Sequence, residues 1–225
     1  MNKIHLSSIA GLLAAGAASA ATIVPLDMPA SGSHASGASF ITSQSIAGVT
    51  FDISYTLNAF AAITDPAPFI NSAGSYFGVG SSNDGAVVGQ QQSLDADDNE
   101  QLSITIAITN FNAGSSGLTV GDITDFQFSE LTIINGTAGN DGIFVSFTGF
   151  GDSEVGVDNP TTIDLTTLGN FSSAASTLYI QPDGNQSNNR WSVGGISVSY
   201  NIPEPSSVTL IGIGIAGMAF RRRRL

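Results

Sequence analysis

Val49-Thr50-Phe51-Asp52-Ile53-Ser54-Tyr55-Thr56-Leu57 places a large apolar side chain at every second position, with hydroxyls and one carboxylate between them. A period of two is the period of a β-strand, in which alternate side chains leave opposite faces, so this stretch is a strand with one face buried and one wet. Leu102, Ile104, Ile106 and Ile108 repeat the pattern. Further strand segments are expected at Ala38–Ser43, Ser75–Gly80, Asp125–Asn135, Gly142–Phe150, Thr161–Leu165 and Thr177–Gln181. Between them stand clusters such as Asn135-Gly136 and Asn140-Asp141-Gly142, residues that tolerate positive φ and make turns. No window carries a helical period.

Two phase changes refine the pattern. Trp191 and Val193 occupy odd positions, whereas Ile196, Val198 and Tyr200 are even, and the switch falls on Gly194-Gly195. An extra residue there, a β-bulge, would return both sets to one face. Phe126 and Phe128 give way to Leu131 and Ile133 around Ser129-Glu130 in the same way. Eight to ten short strands with polar turns and no crossover helices predict an all-β fold, an antiparallel two-sheet sandwich of jelly-roll type, over residues 38–201. Residues 21–37, with Pro25, Pro29 and a run of Ser, Gly and Ala, are expected as a flexible or irregular arm, with an edge strand as the alternative.

The two ends of the chain have a different character. Met1–Ala20 carries Lys3, a mildly apolar stretch from Leu6 to Gly16 and the small residues Ala18-Ser19-Ala20, the layout of a secretory signal peptide cleaved after Ala20. At the other end, Pro203 and Pro205 prevent a helix from starting before Ser206, a fair N-cap. Ser206–Phe220 carries no charge, and Arg221, Arg222, Arg223 and Arg224 follow it. Fifteen helical residues reach only about 22 Å, short of a hydrocarbon core of about 30 Å. Snorkelling arginines and local thinning would let this helix insert with its arginines on the cytoplasmic side.

Ile202-Pro203-Glu204-Pro205-Ser206, the apolar stretch and the arginine cluster together resemble the PEP-CTERM sorting signal, the tag that exosortases process in exopolysaccharide-producing bacteria with two membranes. The resemblance covers 202–225 and implies a transient inner-membrane anchor, with Pro203, Glu204 and Pro205 as the processing motif and Arg221–Arg224 as the cytoplasmic stop. It further implies an exosortase-type enzyme as partner, then release or transfer to the cell surface or extracellular matrix.

Between these segments the body holds a single basic residue, Arg190, against all of the eighteen acids except Glu204. Such a surface repels phosphate backbones, so nucleic acid is excluded as a partner. The chain has no cysteine, so an exported body of this size must be stabilised by its core alone. His34 is its only histidine, which leaves little for a Ser-His-Asp triad or a histidine metal site, and no nucleophile elbow or phosphate loop is present. Carboxylates are plentiful, yet few aromatics accompany them to line a sugar cleft, so no catalytic residues are assigned.

Two loops carry the remaining chemistry. Asp95-Ala96-Asp97-Asp98-Asn99-Glu100 begins with the spacing of an EF-hand, but Glu100 stands where glycine is required and Ile106 where the bidentate glutamate should be. A calcium site from Asp95, Asp97 and Asn99 is one reading, and a solvated turn is the other. The loop from Gln181 to Trp191 offers Asp183, Asn185, Arg190 and Trp191, groups that bond and stack on sugars. Trp191 shares its phase with Val193, however, which points to the core instead. With no catalytic residues assigned, the PEP-CTERM resemblance implies an exported, non-catalytic surface or matrix protein. A carbohydrate-binding module is the alternative, with association to exopolysaccharide, and a glycan-active enzyme comes third.

Overall fold

A computed structural model describes residues 21–46, 48–61, 68–80, 94–95, 99–135, 142–151, 154–156, 161–169, 171–182 and 190–202. The expected signal peptide and the expected helix over 206–220 lie outside them. Among the described residues no helix is long and apolar enough to cross a membrane.

The described residues form fourteen strands divided between two antiparallel sheets that pack face to face as a sandwich. In chain order they are β1 Thr22–Pro25, β2 Gly32–Ala35, β3 Ala38–Ile46, β4 Val49–Phe60, β5 Phe69–Ser72, β6 Phe77–Gly80, β7 Leu94–Asp95, β8 Gln101–Asn112, β9 Thr124–Asn135, β10 Gly142–Ser146, β11 Glu154–Gly156, β12 Thr161–Asp164, β13 Thr177–Pro182 and β14 Arg190–Asn201. The first sheet runs β12-β9-β14-β6-β5-β2, and the second runs β11-β10-β13-β8-β4-β3. One side of β14 pairs with β9. Its other side is covered in succession by β7 at Arg190 and Trp191, β6 at Val193, and β1 from Ser197 to Tyr200.

The core is the sum of the two inward faces. Val49, Phe51, Ile53, Tyr55, Leu57 and Ala59 of β4 are all buried, as the alternation requires, with Leu102, Ile104 and Ile106 of β8 beside them. Trp191, Val193, Ile196, Val198 and Tyr200 of β14 face them from the first sheet. Phe51 and Tyr200 meet across the interior edge to face, 5.2 Å between ring centroids. Each such fully buried large side chain contributes about 1.5–3 kcal/mol relative to exposure, which is what holds a chain without disulfides together.

Both expected bulges are present. The register of β14 against β9 shifts between Val193 and Gly195, and again opposite Ser129, where Ser197 and Val198 pair with Glu130 and Phe128. At Gly194 a Cβ would come within 2.7 Å of the Ile134 side chain, which would have to shift to admit it. Two further bulges were not expected. They centre on Asn110 and Asp125, whose φ values of 50° and 52° are left-handed, a conformation that Asn and Asp adopt more readily than most residues.

Three expectations are corrected. Residues 21–37 follow the edge-strand alternative and not the irregular arm: β1 pairs with the central strand β14 and β2 pairs with β5. Pro25 and Pro29 obscured this, but Pro25 is the last residue of β1 and Pro29 lies between the strands, so neither removes a bond from the middle of a ladder. The segment expected as a strand through Phe150 stops at Ser146, whose hydroxyl accepts from the Thr148 and Gly149 amides at 3.1 and 3.3 Å and bends the chain. The end of the segment Thr161–Leu165 is likewise a short 3-10 turn, capped by Asp164 accepting from the Thr166 amide.

Candidate functional site

The sandwich has two chemically distinct ends. At one end lie Ile46 and Val49 of the β3–β4 turn, Asn112 of β8, Thr124 of β9, and Asn201, the last residue of β14. There Asn201 pairs with Thr124 and donates from its amide to the Asp125 carboxylate at 2.6 Å. Thr22, two residues past the expected signal cleavage, pairs with Tyr200, two residues before Ile202. The first and last described strands therefore begin and finish at the same end of the body, as adjacent antiparallel strands.

At the opposite end Arg190 of β14 pairs in register with Asp95 of β7, and Trp191 with Leu94. Asp95, where the acidic cluster begins, and Arg190, near the end of the Gln181–Trp191 segment, are thus neighbours in the backbone although far apart in sequence. Asp97, Asp183 and Asn185 lie outside the described residues. Asn99 is exposed with φ 51°, while Glu100, its neighbour in the acidic run, is fully buried at the start of β8. Among the described residues no three of His, Asp and Glu come together as a metal-binding group; the side chain of Asp95 lies outside them.

Trp191 is fully buried. Its indole face packs in the core in phase with Val193 and is not available to stack on a sugar. That removes the aromatic platform from the expected glycan-contact set of Asp183, Asn185, Arg190 and Trp191. His34 is also committed to structure, with Nε2 2.9 Å from the Ala30 carbonyl and its ring edge-on to Phe40 at 5.1 Å.

A different aromatic group faces solvent. Phe60, the last residue of β4, stands out of phase with the buried set of that strand and is 42% exposed. Its ring meets Phe150 at 5.4 Å, and Phe150 meets Tyr179 of β13 at 5.0 Å, both edge to face. Beside them the Gln101 amide donates to the Gln181 carbonyl oxygen at 3.1 Å. The outer face continues as a hydroxyl row, with Ser39 bonded to Thr56 at 2.7 Å and Thr105 to Thr177 at 3.1 Å. Asp52 ends it, accepting from Ser43 at 2.6 Å and Asn110 at 2.7 Å, bonds that hold its carboxyl below the usual carboxylate range. Phe60 was readable in the sequence as the one aromatic on the polar phase of β4; Phe150 was not, because its role depends on the bend after Ser146.

The geometry defines a class first: a two-sheet β-sandwich whose first and last described strands begin and finish at one end. The particular signal is then identified at its C-terminus, where residues 201–224 match the PEP-CTERM protein-sorting motif. The match begins at the last residue of β14 and covers the tail alone. The chain is an exosortase substrate, which implies export and C-terminal processing at the membrane. No curated protein and no solved structure matches it.

Proposed function

We propose that this chain is a non-catalytic surface or extracellular-matrix protein, carried across the inner membrane, held there by the helix over 206–220, and released by exosortase cleavage near Pro203–Pro205. The observation that carries this reading is that the first and last described strands begin and finish at one end of the sandwich, with Thr22 beside Tyr200. A body attached in that way turns its far end and both sheet surfaces away from the bilayer. Its strand order supports a jelly roll. With β6, β8, β9, β10, β11, β12, β13 and β14 taken as eight successive strands, one sheet reads first-eighth-third-sixth and the other second-seventh-fourth-fifth, the order of two nested Greek keys. Strands β3 and β4 extend the second sheet beyond β8.

Mass spectrometry of the mature protein tests the processing step. The expected C-terminus lies close to Pro203–Pro205, without Arg221–Arg224; an intact Phe220–Leu225 end as the sole form would defeat the reading.

The Phe60–Phe150–Tyr179 group favours a second reading, in which the outer face of the second sheet contacts a glycan of the surrounding exopolysaccharide. Exposed rings stack on sugar faces, and adjacent amides such as those of Gln101 and Gln181 bond their hydroxyls. A glycan array probed with the wild type and with Phe60→Ala and Tyr179→Ala proteins tests it. Binding reduced about five- to tenfold in both variants is expected from the loss of stacking worth about 1–1.4 kcal/mol, and unchanged binding would discard it.

A further inference from the structure

The terminal strands of the two sheets differ sharply in how they are protected. A terminal strand presents unpaired backbone donors and acceptors that can template pairing with another chain, and proteins ordinarily blunt it by shortness, charge, proline or a bulge. β1 has four residues and ends on Pro25, β2 has four and opens on Gly32 at φ 133°, β11 has three and includes Glu154, and β12 has four and ends on Asp164. β3 has none of these devices. It runs nine residues, Ala-Ser-Phe-Ile-Thr-Ser-Gln-Ser-Ile, in unbroken register with β4, and carries neither a charged residue nor a proline. Among the described residues no strand pairs with its far side.

We propose that β3 is the docking edge for β3 of a second copy of this chain, joining two six-stranded sheets into one continuous sheet across a two-fold axis. The charge distribution identifies the occupant. Two copies of a chain with net charge −12 repel one another over most of their surfaces. At β3 that repulsion is weakened, because the strand itself contributes no charge and the neighbouring Asp52 is bonded to Ser43 and Asn110. The edge is also self-complementary. An antiparallel pair of identical strands sets Ser39, Ile41, Ser43 and Ser45 of one copy against the same set of the other, and it covers Ile41, which is 53% exposed. The inner side of β3 is already fixed, with Thr42 buried and accepting from the Asp27 amide at 2.7 Å and with Phe40 stacked on Tyr55 at 5.4 Å. The edge is therefore rigid before it pairs, which lowers the ordering cost of association. This inference does not depend on the sorting reading or on glycan contact.

The mature protein, purified from the cells that process it, is examined by sedimentation velocity and by hydrogen exchange over a wide concentration range. A dimer that dissociates on dilution is expected, with the β3 backbone amides that point away from β4 protected in the dimer and fast-exchanging in the monomer. Ile41→Lys with Ser45→Lys places four cations along the paired edge and is expected to raise the dimer Kd about tenfold or more, since like charges on facing strands are destabilising. Both positions are exposed, so the melting temperature of the monomer should stay near that of the wild type. Val120→Lys, at an equally exposed apolar residue in a short 3-10 turn away from β3, should leave the Kd unchanged. A protein that stays monomeric at every concentration would overturn the proposal. So would a dimer with those β3 amides unprotected or one indifferent to the double substitution.

Discussion

Tyr55 shows how a single polar atom is accommodated in this core. Its ring lies on the inward face of β4 with 1% exposure, and its hydroxyl donates to the Asp27 carbonyl, so the phenol is buried without being left unbonded. Burial is the main force raising its pKa above the usual value of 10.0, with the nearby Asp27 charge adding to it. Tyr200 is raised by burial as well. Both groups favour the folded state below the unfolded tyrosine pKa, and that contribution is lost as pH rises through the folded values. Stability should therefore begin to fall from about pH 10 upward. Tyr55→Phe is expected to shallow this alkaline decline while lowering stability at neutral pH by about 1 kcal/mol through the orphaned Asp27 carbonyl. Denaturant midpoints measured against pH check both signs; an alkaline limb as steep as in the wild type would refute the assignment. At this scale the sequence was informative wherever phase alone decides. Trp191 was readable as core from its spacing to Val193, but Glu100 was not readable as buried, because a carboxylate in an acidic run carries no local sign that the chain turns inward there.

Elements were legible in proportion to their length. The twelve-residue strands β4, β8, β9 and β14 hold enough alternation to declare themselves, and the bulges at Gly194 and Ser129 showed as breaks in it. β1, β2, β7 and β11 have two to four residues, too few for a period, and their existence depends on which long strand they lie against. β1 is the clearest case, since it is a strand because the upper half of β14 would otherwise be uncovered on that side. The bulges at Asn110 and Asp125 lie near strand ends, where the change of phase is carried only by the half-buried pairs Ile108 to Phe111 and Ile123 to Phe126, a weaker sign than the fully buried sets around Gly194 and Ser129. Strand β3 was recognised as a strand, whereas its lack of protection became visible only once the sheet order placed it at an edge.

For the molecule as a whole, the destination was written in local motifs and the orientation was not. A signal peptide and a Pro-Glu-Pro tail can be read residue by residue, but their shared end follows from pairing between Thr22 and Tyr200 across nearly the entire chain. With β4 running eleven residue steps from Val49 to Phe60, the two ends of the sandwich lie about 36 Å apart. The absence of native cysteine makes that span measurable. In the unprocessed chain reconstituted in vesicles with a lipid acceptor dye, a donor on Val120→Cys should transfer strongly and one on Phe60→Cys weakly. Equal transfer from both sites would contradict the orientation.

The position of β14 also sets a timetable. It is the last strand to be synthesised, yet β1, β6, β7 and β9 all pair with it, so the first sheet has no centre until residue 201 has been made. Pairings of such long sequence separation form slowly and cannot form early. The chain consequently stays unfinished, and threadable through a translocation pore, for nearly the whole of its synthesis. Folding and the arrival of the sorting tail at the membrane become one event in time.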